Sequence, residues 1–95
     1  DAYPVEWAYI PHFYYDFYVF QYATSITGAA WFAEQFLAGD TAVRDAFIRV
    51  LSAGGSDYAH EILLNEAGLD MTQPEAYAPG LRRMNNLMDR IEALL

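Results

Sequence analysis

FYYDFYVFQYATSITGAAWFAEQFLA, residues 13–38, holds no proline and a single glycine, Gly28, and is apolar or aromatic over most of its length. A run this long with nothing to break it reads as one helix, and the rest of the chain reads as shorter helices packed around it. The fold class is therefore all-α, three to four helices around a long aromatic-rich central helix. Gly28 costs on the order of 1 kcal/mol inside a helix, which suggests a close packing contact there. On a helical wheel Tyr15, Tyr18 and Tyr22 fall within a ~60° arc, with His12 at the helix entrance and Phe17 and Phe20 turned away. One face carries hydroxyls and the back is apolar.

Outward from this segment the punctuation is plain. Upstream, Pro4 and Pro11 flank Trp7 and Tyr9, and Pro11 biases Ile10 away from helical dihedrals, so residues 1–11 read as an extended lead-in. Downstream, Gly39 ends the long helix and Asp40 is a natural N-cap for a second, with Val43, Phe47, Val50 and Leu51 on one face and Ala53-Gly54-Gly55 as its stop. Ser56 and Asp57 suit the start of a third helix running to about Ala67, with Ile62 and Leu63 as its buried side and Gly68 as its end. Thr72-Gln73-Pro74-Glu75 has capping-box spacing, and Pro79-Gly80 is expected to interrupt the helix begun there. Leu81, Met84, Met88, Ile91 and Leu95 then recur at spacings of three and four, a stripe that wants a partner surface.

Composition narrows the function classes. With 5 basic against 13 acidic residues the formal charge is −8, which repels a phosphate backbone, so no nucleic-acid partner is expected. The longest uncharged stretch, residues 17–33, is shorter than the roughly 20 apolar residues of a membrane span and rich in Tyr, Thr and Ser, so no membrane partner is expected either. The absence of cysteine removes disulfides and thiolate metal sites and fits a reducing, cytoplasmic compartment. No basic n-region precedes an apolar stretch at Asp1-Ala2-Tyr3, and the chain reads as a piece of a longer one.

The hydroxyl face has a chemical use. Tyrosine keeps its proton at neutral pH and donates to a developing oxyanion without adding charge, and histidine donates from either ring nitrogen. An aromatic stripe serves a core as readily as a site, so periodicity alone leaves both readings open. His60-Glu61-Ile62-Leu63-Leu64 begins like the zinc motif HExxH, but Leu64 stands where the second imidazole belongs. His60 therefore reads as a surface residue. With His12 and His60 the only histidines, no metal site is expected within this chain.

IPHFYYDFYVFQYATS at residues 10–25, AGGSDY at 53–58 and AGLDMTQPE at 67–75 resemble, in order and spacing, the C-terminal end of oligoendopeptidase F. That family stands with thimet oligopeptidase among the zinc metallopeptidases. The resemblance covers nearly the whole chain and implies that residues 1–95 are the C-terminal part of a helical catalytic domain whose HExxH helix and third zinc ligand lie upstream. It implies hydrolysis of oligopeptides, with zinc held by the full-length enzyme and none by this part, which alone is expected to be inactive. It assigns catalytic roles to His12, Tyr15 and Tyr22, donors to the peptide and to the tetrahedral oxyanion, with Tyr18 as a substrate-binding neighbour. Phe20 and Ser25 depart from the frequent tyrosine and glycine, and Pro79-Gly80 falls where helix is usually continuous.

On this reading the phenols face substrate while the phenylalanines anchor the helix in the core. The alternative is a stand-alone helical interaction module without catalytic activity. Large side chains on several sides of the central helix need more cover than two or three short helices give. The expected partners are therefore the remainder of the same enzyme or further copies of the chain.

Overall fold

Alanine, glutamine and glutamate are strong helix formers, and they concentrate after Phe20, at Gln21, Ala23, Ala29, Ala30, Ala33, Glu34 and Gln35. In the computed structural model, which describes residues 3–95, the first α-helix accordingly spans Phe20–Leu37 (α1). The expected start at Phe13 is seven residues too early. Residues 13–19 are aromatic, β-branched or Asp, all of middling helix propensity, and they form no continuous helix. Instead Pro11–Tyr14 makes a short 3-10 turn behind an extended Ile10 (φ −84°, ψ 105°), as Pro11 requires. The lead-in is likewise not extended, because Tyr3–Tyr9 coils into a 3-10 helix. The Tyr14 hydroxyl donates to the Ala8 carbonyl at 2.8 Å and ties the two pieces together.

Three further helices follow, Thr41–Ala53 (α2), Ala59–Ala67 (α3) and Ala78–Glu92 (α4), so the chain is all-α, with no strand among the described residues. The Asp40 carboxylate caps α2 as expected, accepting from the Ala42 and Val43 amides at 2.9 and 3.0 Å. Gly68 ends α3 in the left-handed conformation (φ 68°), and the Leu69 amide reaches back to the Leu63 carbonyl at 3.1 Å. That turn drives Leu69 into the core, where it is 2% exposed.

Other caps differ from their expected form. Tyr58 precedes α3, and Asp57 accepts only from the Tyr58 amide next to it, at 2.7 Å. Thr72 does not complete a capping box, because its amide and hydroxyl both donate to Asp70, at 2.9 and 2.6 Å. This pair of bonds holds the Asp70 carboxyl below its ordinary range. A 3-10 turn, Pro74–Tyr77, runs straight into α4, and Pro79-Gly80 lies inside the first turn of α4 rather than interrupting it. Proline is tolerated there because the first amides of a helix have no partner within it.

α1 is the central element. It packs against α2 on one flank and against α4 and the Pro74–Tyr77 turn on another, and α3 packs on α2. The core is Phe32, Leu69 and Ala76, joined by the partly buried Trp31, Val43, Phe47, Val50 and Leu63. Phe32 meets Trp31 and Phe47 edge-on, at ring-centroid distances of 5.0 and 4.9 Å. Ile62 is buried as expected, whereas Leu51 is exposed. Among the described residues two ion pairs cross between helices, Arg49 with Glu66 at 3.0 Å and Arg82 with Glu34 at 2.6 Å.

The shape is open. Its radius of gyration is 16.8 Å, against about 12 Å for a compact domain of this length. The accessible area of 7632 Å² is roughly 2,100 Å² more than a compact monomer of its mass exposes. Much of the uncovered area is apolar. Phe13, Phe17 and Phe20 are exposed rather than anchored in the core, and so is the whole stripe of Leu81, Met84, Met88, Ile91 and Leu95.

Gly28 is buried on α1, but a Cβ added there meets only a Leu69 methyl at 4.0 Å, an ordinary contact. Packing within this chain therefore does not demand glycine. Gly28→Ala is expected to raise stability by about 0.5–1 kcal/mol, the helix-interior difference between the two residues. Chemical denaturation checks it, and a loss of stability would mean that the packing of Leu69 on α1 does not accommodate the added methyl.

Candidate functional site

Four rings meet where the chain turns from the Pro11–Tyr14 segment into α1. His12 lies in the 3-10 turn, Tyr15 just after it, Tyr18 in the connection and Tyr22 in the first turn of α1. The imidazole centroid is 6.5 Å from that of Tyr15, 5.4 Å from Tyr18 and 5.9 Å from Tyr22. Tyr18 in turn stands 6.0 Å from Tyr15 and 5.9 Å from Tyr22, both edge to face. Such edge-on packing restricts the orientation of each ring. All four residues expected at the site are brought together.

The means differs from the expectation. Tyr15 and Tyr18 are not on a helix shared with Tyr22, so the wheel does not assemble them. On a continuous helix His12 and Tyr22 would lie roughly 15 Å apart along the axis, yet their rings are 5.9 Å apart. The chain reverses between Tyr15 and Tyr18, where the Tyr18 amide donates to the Tyr15 carbonyl at 3.1 Å. Phe17, third residue of that turn, has φ 57° and is the one non-glycine residue with positive φ among those described. For an aromatic side chain this conformation costs on the order of 1–2 kcal/mol. The sequence reading missed Phe17 as a turn residue because neither glycine nor asparagine marks it.

The cluster is open to solvent. Tyr15, Tyr18 and Tyr22 are all exposed, and His12 is half-buried by its neighbours. Side-chain hydrogen bonding with Tyr18 pushes the Tyr22 phenol above its ordinary value, with desolvation adding to the effect. A phenol is a donor at neutral pH without any shift, and the upward displacement extends this for Tyr22 toward alkaline pH. Phenols and an imidazole on one exposed face form a set of hydrogen-bond donors with no fixed charge, suited to a carbonyl or to the oxyanion formed from it.

His60 lies elsewhere, exposed on α3, stacked 6.0 Å from Tyr58 and 3.4 Å from the Glu61 carboxylate. It borders a groove of about 810 Å³ between α1, α3 and the segment carrying Met71, Thr72 and Tyr77. Among the described residues no group of three or more His, Cys, Asp or Glu side chains stands together as a metal site needs. The donors present do not fit a zinc centre.

The profile of peptidase family M3 matches residues 1–83. The chain is 40% identical over 90 residues to the plasmid-borne oligoendopeptidase F of Lactococcus lactis subsp. cremoris, covering 95% of this chain and 15% of that protein. It is 40% identical over 91 residues to the oligopeptidase PepF of Bacillus subtilis, covering 96% of this chain and 13% of the relative. With the group B oligopeptidase PepB of Streptococcus agalactiae it shares 39% over 90 residues, 95% of this chain and 15% of the relative. The chain thus spans about a seventh of the length of these relatives. No solved structure matches it.

Proposed function

The chain belongs to peptidase family M3, and from that premise we propose that it is the C-terminal part of the catalytic domain of a zinc-dependent oligoendopeptidase. Its relatives' names support the activity, and the observation that carries the site is the convergence of His12, Tyr15, Tyr18 and Tyr22. The zinc ligands belong to the part of the enzyme beyond this chain, and the residues here do the binding. Tyr22 and His12 donate to the oxygen that becomes anionic when the scissile carbonyl turns tetrahedral, and Tyr15 donates to the bound peptide. Tyr18 lines the peptide's path and raises the pKa of the Tyr22 phenol.

Neutral donors suit this work. They exert little pull on the ground-state carbonyl and more on the oxyanion, which is the difference that accelerates a reaction. The open shape supports the same reading, because roughly 2,100 Å² of excess surface exceeds the ≈ 800 Å² that a standard interface takes from one partner. The remainder of the enzyme would cover it, including the stripe on α4.

The test uses the full-length enzyme and a fluorogenic oligopeptide. Chelator-sensitive hydrolysis is expected, and His12→Ala should lower kcat by about 10²-fold or more while KM changes little. A variant with unaltered kcat would remove His12 from the reaction.

A further inference from the structure

We infer that Phe17 is the positioning residue of this cluster, acting through its left-handed backbone rather than its ring. The residues at the two ends of its turn, Tyr15 and Tyr18, are the two that must face His12 together. The turn is closed by the bond from the Tyr18 amide to the Tyr15 carbonyl, and turns of this closure whose third position takes a positive φ, types II and I′, demand a residue that tolerates it there. Glycine or asparagine normally supplies it. Phenylalanine stands there instead, at φ 57°.

The ring does not account for this conformation. It is 85% exposed, so no packing within the chain holds the residue in place. What the conformation does is reverse the chain, folding His12 back until its imidazole lies 5.9 Å from the ring of Tyr22. Remove the reversal and the aromatic run is free to extend α1 toward its N-terminus, which carries His12 away along the axis by roughly 1.5 Å per residue. The donors would then lie in a row, no longer gathered around one oxygen. Backbone strain concentrates at places where geometry serves function, and here the geometry it serves is identifiable.

The inference rests on the oligopeptidase reading, and its test separates the two. In the full-length enzyme, Phe17→Gly and Phe17→Asn delete the ring but tolerate positive φ, whereas Phe17→Val is β-branched and resists it. With selectively labelled histidine and tyrosine, nuclear Overhauser contacts between His12 and Tyr22 should persist in the first two variants and vanish in the third. In parallel, kcat should stay within about 3-fold for Gly and Asn and fall about 100-fold for Val with little change in KM, the scale expected for a misplacement near 1 Å. Loss of the ring contacts in Gly and Asn would overturn the inference, because the ring would then be the cause. So would contacts that survive in Val. If Val separates the rings and kcat does not fall, the positioning role stands and the oligopeptidase role of the cluster fails. Should Val not fold, the Gly and Asn variants decide by the same contacts.

Discussion

Tyr22→Phe in the full-length peptidase is expected to lower kcat by about 10²–10³-fold while KM moves only a few-fold, the signature of a hydrogen bond made chiefly in the transition state. The substitution removes one oxygen and leaves the ring that packs edge-on against Tyr18 and His12. Packing within the cluster is therefore preserved, and the change reads on the hydroxyl alone. A phenol is protonated near neutral pH in any case, and hydrogen bonding with Tyr18 and desolvation push the pKa of this one further upward. Ionisation of Tyr22 would turn a donor into an anion facing an oxyanion, so the upward displacement moves this failure to higher pH. Tyr18→Phe withdraws the first of those causes, and the alkaline loss of activity should then begin at lower pH. A Tyr22→Phe enzyme with unchanged kcat would return Tyr22 to a packing role.

The second large effect is on folding. Phe32→Ala should destabilise the chain by about 3–5 kcal/mol, the usual cost of truncating a buried phenylalanine. Phe32 is the junction of the core, with Trp31, Phe36 and Phe47 around its ring and Leu69 and Ala76 in the same cluster. Among the described residues only five hydrophobic ones are buried, so little else is available to compensate. A loss of this size rivals the whole stability of a small domain, and α1 and α2 should come apart together. Denaturant unfolding followed by far-UV circular dichroism measures it. A variant within about 1 kcal/mol of the parent would place the folding core elsewhere, outside the size normally seen for such truncations.

How much of this was legible in the sequence depended on which residues carried a local signal. Asp40, Gly39 and Gly68 act through their own side chains or dihedrals, and each ends or starts a helix as read. Val43, Phe47, Val50 and Ile62 follow helical spacing and turn inward. The start of α1 was not legible, since seven aromatic, branched or acidic residues precede Phe20 and nothing among them marks a break. Phe17 breaks the helix through a dihedral that its residue type does not advertise. Thr72 shows the converse, a recognisable capping pattern whose hydroxyl is drawn off by Asp70.

The four site residues were legible as a group and misplaced as a geometry. The sequence groups the three tyrosines on one helical face with His12 at its entrance, while in the structure a reversed turn assembles all four. The helical wheel turns Phe17 and Phe20 away from the hydroxyl face, which reads as a core-facing back. Here Phe13, Phe17 and Phe20 lie exposed, because no other element of the chain packs over them.

The most direct measurement is a crystal structure of the full-length enzyme bound to a phosphinic peptide, whose tetrahedral phosphorus oxygens stand in for the oxyanion. The account predicts the Tyr22 hydroxyl and one His12 ring nitrogen at about 2.7–3.1 Å from one of those oxygens, the distance at which a donor stabilises the charge. It would be contradicted by an inhibitor bound at the catalytic metal with Tyr22 and His12 both beyond hydrogen-bonding reach.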